Sequence, residues 1–349
     1  MERQPKPTER PPLLPAPGEF VLDRKRQQID IKSAVMEYAA LERGLSVTRC
    51  NRMVIIAEHD YHQLAFRKMN GIRSSHVGRF FCDQKEQARA RLTAAGLVAT
   101  PSRIFRRKEQ ASAWKYAQNL GAEVVVKPSS MARGKGVTTR IRNFEQFTAA
   151  WERAVTAYRS PIGAKVLVEK QISGEDYRFY AIGDKTVFCT HRRRANVTGD
   201  AKSSLIELIE AKNALRSQNP YLGDYLIPTS STELDRLASS GWTLNYVPSE
   251  GEVVELRGAS NLSAGGDSID CTEVMHPDYR DIVIRAVEAI PGMEYAGVDI
   301  ITPDVSEAPT PQNHVISEIE YSPAPITHFP ALGAVRDMAG QLLDFYLER

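Results

Sequence analysis

Residues Val124–Ile141 read "VVVKPSSMARGKGVTTRI". Three valines run into Lys127 and Pro128, small polar residues follow, two glycines flank Lys135, and β-branched residues return. This pattern predicts a strand over Val124–Lys127 and a hairpin partner over Val137–Arg142, joined by a basic turn. Gly134 and Gly136 let backbone N–H groups approach an anion closely, and Lys127 and Lys135 add charge. The spacing fits neither G-x-x-x-x-G-K-[ST] nor G-x-G-x-x-G. Two readings stand for this stretch: a loop that holds polyphosphate, and a plain surface hairpin with a basic turn.

Further along, "VLVEKQISGEDYRFY" (Val166–Tyr180) ends one strand at Glu169-Lys170, turns through Ser173-Gly174 and resumes at Tyr177. A peptide crossing between two lobes in this way offers backbone groups to an adenine edge, with carboxylates on either side for the exocyclic amine and a ribose hydroxyl. The alternative is a charged β-turn. Near the end, "AGVDII" carries Asp299 and "ISEIEYSP" carries Glu318 and Glu320. Strand alternation points Glu318 and Glu320 to one face. Oxygen donors of this kind suit Mg²⁺, which takes one or two carboxylates together with substrate phosphates. Alternating glutamates also mark a solvated strand face. The apolar flanks make these strands read as buried, and a buried carboxylate needs a partner.

The bulk numbers set the frame. A chain of 349 residues, 42% hydrophobic and 25% charged, is an ordinary globular composition with room for two or three lobes. A net charge of +2 argues against a dedicated nucleic-acid binder. No apolar run reaches the roughly 20 residues that span a bilayer. The opening "MERQPKPTERPPLLPAPGEF" has no apolar signal-peptide segment and is expected to be a flexible tail. Cys50, Cys82, Cys189 and Cys271 form no CxxC pair, as expected of reduced thiols in a cytoplasmic protein with neither membrane nor nucleic acid as partner.

Helical periodicity falls in "IDIKSAVMEYAALERG", "DQKEQARARLTAAGL", "EQASAWKYAQNLG", "NFEQFTAAWERAVTAY" with Asn143 as N-cap, "SSLIELIEAKNALR", "DYRDIVIRAVEAI" and "GAVRDMAGQLLDFYLE". Short strands lie between them, with "YAGVDIITPD" and "HVISEIEYSP" reading as an antiparallel pair. The fold class expected is α+β. The expected division is a tail over 1–20, a short N-terminal α/β lobe over 21–83, a small lobe with the phosphate loop over 84–167, and a C-terminal lobe with adenine hinge and Mg²⁺ site over 168–349.

Three long segments sharpen this. "DQKEQARARLTAAGL" resembles a "DK…LL…AGV" helix. "HRRRANVTGDAKSSLIELIEAKN" resembles "R-R-P-A-N-V-V-G-D-G…T-I-x-E-L-V…K-N". "LRGASNLSAGGDSIDCTEVMHPD" is similar to "L-R-x-N-A-N-L-S-T-G-G…D-V-T-D…H-P". In this order, over about Cys82 to Pro330, they resemble the ATP-grasp superfamily of carboxylate–amine ligases, above all the ATP-grasp parts of cyanophycin synthetase and of bifunctional glutathione synthetase. The resemblance implies two lobes clamping ATP.

It also implies roles. Lys85 and Lys127 contact ATP, Lys127 counting with Arg257 as catalytic. Ser129, Arg133, Gly134, Lys135, Gly136 and Val137 belong to the loop over the phosphates. Glu169, Lys170 and Ile172 meet adenine, and Asp176 the ribose. Asp299, Glu318 and Glu320 hold two Mg²⁺ ions, with Mn²⁺ as a substitute. Asn261 lines the acceptor side. Apart from the resemblance, Arg178 and Arg193 lie on or beside strands facing the site and are expected to bind substrate carboxylates bidentately; for His328 substrate contact and a packing or hydrogen-bonding role are both open. For the Arg192-Arg193-Arg194 run a solvated basic turn is the other reading. Two departures stand out. Glu320 replaces the asparagine of the family's "E-x-N-x-x-P", and Ser130, Met131 and Ala132 make the loop poorer in glycine.

The implied reaction is ATP-dependent amide formation between an amino-acid carboxylate and an amine, of peptide or γ-glutamyl type, through an acyl-phosphate. It requires no protein nucleophile, and no Ser-His-Asp or Cys-His arrangement is evident. Small amino-acid or peptide substrates and a homodimer are expected, and the length suggests a small conjugate as product rather than a polymer. A phosphotransferase and a non-catalytic nucleotide-binding module are the alternatives. His59 and His62 are set aside as a metal pair, because no second pair of ligands lies near them in sequence.

Overall fold

The computed structural model describes residues 14–59, 62–129, 136–230 and 240–348, with Leu234 and Leu237 between. The chain divides into two compact units, residues 1–72 with 337–349, and residues 73–336. Among the described residues no helix is long and apolar enough to cross a membrane.

In the first unit, helices α1 (Pro17–Arg26) and α2 (Ile31–Glu42) accompany an antiparallel meander of β1 (Ser46–Arg49), β2 (Val54–His59) and β3 (His62–Arg67). Proline at the first helical position starts α1 inside the stretch read from sequence as tail, where its missing N–H costs nothing. Phe20, Val21, Met36, Ile55 and Phe66 make the core. The carboxylate of Glu37, on α2, is gripped by Arg24 and Arg49. The C-terminal helix, Met338–Leu347, belongs here: Tyr346 sets its ring edge-on to Phe66 at 5.2 Å, and Asp344 accepts from Arg43 at 2.6 Å. The N-terminal unit is therefore not a self-contained stretch of 21–83.

The second unit holds two larger sheets. The smaller is antiparallel, in the order β4 (Ser102–Arg106), β7 (Lys165–Lys170), β5 (Val124–Pro128), β6 (Thr138–Ile141). One face is covered by α5 (Gln110–Asn119) and α6 (Phe144–Thr156), through a core of Phe105, Val124, Val126, Phe147, Trp151, Val166 and Val168. Asn143 caps α6 as expected, its side chain accepting from the Gln146 N–H at 2.9 Å. Gly136 re-enters β6 with φ +73°, and a Cβ there would stand 2.8 Å from that of Ala157.

The larger sheet is also antiparallel, in the order β12 (Asp267–Asp270), β9 (Thr186–Arg193), β8 (Glu175–Ile182), β13 (Tyr295–Thr302), β14 (Val315–Glu320). Phe179, Val298, Ile300, Ile316 and Ile319 turn one face onto α4 (Lys85–Ala94) and α8 (Asp278–Glu288), each at 2% exposure or less. Burial of this kind stabilises by about 1.5–3 kcal/mol per side chain. Helix α3 (His76–Asp83) precedes α4, while α7 (Leu205–Arg216) packs with the two-stranded sheet of β10 (Asn196–Thr198) and β11 (Val253–Glu255). The boundary drawn at 83/84 falls between α3 and α4 inside one unit, and that at 167/168 falls within β7.

Candidate active site

The second face of the larger sheet is polar. Register explains which side chains meet there. Asp299 on β13 lies opposite Glu318 on β14 and opposite Arg178 on β8, while Gly297 lies opposite Glu320 and Tyr180. A bulge after Asp299 lets Ile300 pair with Ile316, so the apolar face stays in phase while Glu318 and Glu320 remain with Asp299. Gly297 is needed for close approach: a Cβ there would stand 3.1 Å from Cδ of Arg178 and 2.9 Å from Pro323.

An ion-pair lattice fills this face. The Arg178 guanidinium donates to both oxygens of Asp299, one of them at 2.9 Å, and reaches Glu320 at 2.5 Å. Arg192 donates to Asp299 at 2.8 Å and to Asp176 at 2.6 Å, and the Ser260 hydroxyl donates to Asp176 at 2.6 Å. Lys85, the first residue of α4, pairs with Glu318. Four carboxylates thus face three cations. Burial alone would raise the Asp299 carboxyl, but Arg178 and Arg192 outweigh it and bring it down to about 2.

Of the residues expected on the nucleotide side, Lys127, Glu169 and Lys170 lie on the smaller sheet, Lys85 on α4 and Asp176 on β8. The Lys127 ammonium reaches Glu169 at 2.5 Å, and Arg89 of α4 donates to the same carboxylate at 2.8 Å. Burial opposes ionisation of Glu169, yet these two cations hold it below its usual value. Arg89 also donates to the Ser317 carbonyl on β14 at 2.9 Å. One guanidinium therefore ties the Lys127 sheet to the strand of Glu318 and Glu320. The Ser129 N–H donates to the Lys165 carbonyl at 3.0 Å, anchoring the start of the loop. Gly136 and half-buried Val137 close it, while Arg133, Gly134 and Lys135 lie outside the described residues. The Lys170 N–H donates to the Pro101 carbonyl at 3.0 Å, and the Ile172 carbonyl accepts from the Gln171 side chain at 3.1 Å, so part of the hinge backbone is already engaged.

Arg257 lies just beyond β11, between Leu256, whose N–H donates to the Ala195 carbonyl, and Gly258, whose carbonyl accepts from Arg194. It has no ion-pair partner among the described residues, unlike Arg178, Arg192, Arg193 and Arg194. Asn261 opens a one-turn 3-10 helix and accepts from the Ala264 N–H at 2.8 Å. Half-buried His328 lies in a turn beyond β14, its N–H donating to the Pro325 carbonyl at 3.2 Å.

Two residues expected to bind substrate hold acids of the chain itself. Arg178, 5% exposed, has donors on both Asp299 and Glu320. Arg193 turns to Asp267, at 3.4 Å. The basic run is not a solvated turn either: Arg192 and Arg193 end β9, and Arg194 pairs with Glu175 and Glu255. His191 and Arg194 together carry the Glu175 carboxyl down to about 2.

Asp267 was missed from sequence. It is 2% exposed and accepts from Lys212 at 2.6 Å, Arg216 at 2.9 Å and Asn196 at 3.0 Å. Asn196, Lys212 and Asp267 fall within the two long segments quoted above. Those segments are thus joined through one buried carboxylate, which fixes α7, β9 and β10 around the start of β12. Burial pulls the Lys212 ammonium below its usual value, against the raising influence of Asp267.

The donors fit a hard divalent cation in kind: all are carboxylate oxygens on one sheet face, and the Glu318 and Glu320 side chains keep 40% and 42% exposure. Among the described residues no three such groups close on a common point; Lys85 holds Glu318, and Arg178 holds Asp299 and Glu320. The additional charge of Glu320 is met by Arg178.

No family model matches the chain. It is 36% identical over 231 residues to cyanophycin synthetase of Trichormus variabilis, covering 64% of this chain and 24% of that protein. It is 32% identical over 289 residues to glutathione biosynthesis bifunctional protein GshAB of Pasteurella multocida, 78% of this chain and 37% of that one. For the Mannheimia succiniciproducens protein of the same name the identity is 30% over 333 residues, 90% of this chain and 42% of that one. The crystal structure of a bifunctional glutathione synthetase from Pasteurella multocida matches with a TM-score of 0.68 and 26% identity, over 92% of this chain and 44% of that one. The chain spans less than half the length of each of these relatives. Two antiparallel sheets joined through β7–β8, with Lys127 beside Glu169 on the smaller and Asp299, Glu318 and Glu320 on one face of the larger, bear out the likeness read from the sequence: the chain belongs to the ATP-grasp superfamily.

Proposed function

We propose that the chain is an ATP-dependent carboxylate–amine ligase, forming an amide bond between amino-acid or peptide substrates with release of ADP and phosphate. One observation carries this. Arg89 holds Glu169, partner of Lys127, and the β14 strand of Glu318 and Glu320 at once, so the lysine expected to meet phosphate and the acids expected to hold cations are tied by one side chain.

In this reading a substrate carboxylate takes the γ-phosphoryl group of ATP, and an amine then attacks the acyl-phosphate. The protein positions the reactants and neutralises charge. Glu318, Glu320 and Asp299 would hold Mg²⁺, two ions or Mn²⁺ in their place, which supplies charge neutralisation on the phosphates. Lys85 exchanges its hold on Glu318 for phosphate oxygens. Lys127, held beside Glu169, meets the phosphates. Arg257, unpaired among the described residues, is free to turn to the transferred phosphoryl group. Asp176 meets the ribose, Lys170 and Ile172 the adenine edge, and Asn261 and His328 the acceptor side. The loop that Ser129 and Gly136 bound excludes water from the acyl-phosphate. A homodimer working in the cytoplasm completes the proposal.

The test is to incubate the purified protein with ATP, Mg²⁺ and a panel of amino acids and to weigh the products. Amine-dependent phosphate release, with a product heavier than the donor by the amine less one water, is expected. A stable phosphorylated product formed without amine would make the protein a kinase, and no nucleotide binding at all would make it a non-catalytic module.

A further inference from the structure

A second site lies at the end of the smaller sheet, where β4 finishes and β7 begins. There an open cavity of about 890 Å³ is lined by Arg106, Arg107, Lys108, Gln110, Glu152 and Lys165 among others. Arg106 and Lys165 are directly opposite in the β4–β7 register. Like charges so placed destabilise a sheet pair. Arg107 and Lys108 follow at once in a one-turn 3-10 helix. None of the four cations has an ion-pair partner among the described residues, in contrast to Lys127, Arg89, Arg178 and Arg192, each of which sits on a carboxylate. Glu152 is the one acid in the lining. Four exposed cations without a carboxylate partner among the described residues, around one concavity, describe half of an interaction.

We infer that this cavity binds a small polyanion bearing two or more phosphate or carboxylate groups. It is separate from the nucleotide residues on the same sheet. Lys165 stands at the opposite end of β7 from Glu169, and its carbonyl anchors the Ser129 N–H and accepts from the Tyr158 hydroxyl at 2.7 Å. A ligand held by the Lys165 side chain therefore bears on the residue from which the phosphate loop departs. Arginine forks and lysine point charges together suit clustered anionic oxygens.

Calorimetry with inorganic tripolyphosphate, and separately with citrate, tests this on the full chain. The variants are Lys165→Gln, the double change Arg107→Gln with Lys108→Gln, Lys127→Gln, and Lys202→Gln as a remote control. The expected result is a binding event that persists in Lys127→Gln and Lys202→Gln and weakens at least ten-fold in both cavity variants. Tripolyphosphate alone giving that event assigns the site to phosphates, and citrate alone assigns it to carboxylates. Either polyanion binding equally to wild type and both cavity variants, or no event outside the Lys127 site, overturns the inference.

Discussion

The two ends of the five-stranded sheet solve opposite problems with the same residue types. At the β8–β13–β14 end, four carboxylates meet three cations, and two of the acids keep about 40% of their side-chain surface open. At the β12 end, one carboxylate, Asp267, meets Arg193, Lys212 and Arg216, and is 2% exposed. The first arrangement has acidic charge in surplus and facing outward, so it can still receive a cation. In the second the acid is saturated and sealed, and its charge is committed to holding α7 and β10 in place. Ion-pair number alone does not mark a reaction site. The sign of the surplus, and whether it can be reached, does.

Glu318→Gln should separate the two ends most sharply. Turnover should fall at least a thousand-fold, about 4 kcal/mol in the barrier, with the melting temperature nearly unchanged. Normal ADP production by the purified variant would remove the metal role from this end. Asp267→Ala should do the reverse. Three cations left around an empty buried position cost about 3–4 kcal/mol, which thermal unfolding should read as a fall of several degrees. An unchanged melting temperature would mean that the β12 end does not hold α7 and β10.

Acid titration sharpens the contrast further. The folded Asp299 carboxyl lies at about 2, below its unfolded value of about 3.9, so its contribution is complete above pH ~4 and disappears as pH falls toward 2. Denaturant midpoints at pH 5 and pH 3 should show part of a total loss of roughly 2 kcal/mol, absent from Asp299→Asn. Equal pH dependence in the two proteins would contradict the lattice. The smallest effect belongs outside both ends. Asn143→Ala removes the α6 cap and should cost about 1 kcal/mol in chemical denaturation without altering nucleotide binding.

What the sequence disclosed follows from range. Helices α2, α4, α5, α6 and α8 were legible because their apolar periodicity and their glycine or asparagine boundaries are local. The β13–β14 pair was legible because both strands alternate, and Asp299, Glu318 and Glu320 duly share a face. Helices α1 and α3 and strands β1, β3 and β4 were not: they are short, or they lie in a stretch whose prolines and charges read as tail. The partners of Arg178 and Arg193 were hidden for a different reason. Arg178 finds Asp299 across 121 positions of chain, and the Arg193–Asp267 pair spans 74. Such pairings depend on strand order, which no local pattern states. Asp267 itself follows "SAGG" and reads as one more turn residue until Lys212 and Arg216 arrive from α7.

The C-terminal helix sits in the first unit, beside Arg43 and Phe66. During synthesis those early residues emerge long before Met338–Leu347, with all of 73–336 made in the interval. The unit begun first is thus finished last: ribosome-arrested chains ending at residue 336 should leave residues 14–72 open to protease, and chains carrying the helix beyond the exit tunnel should close them.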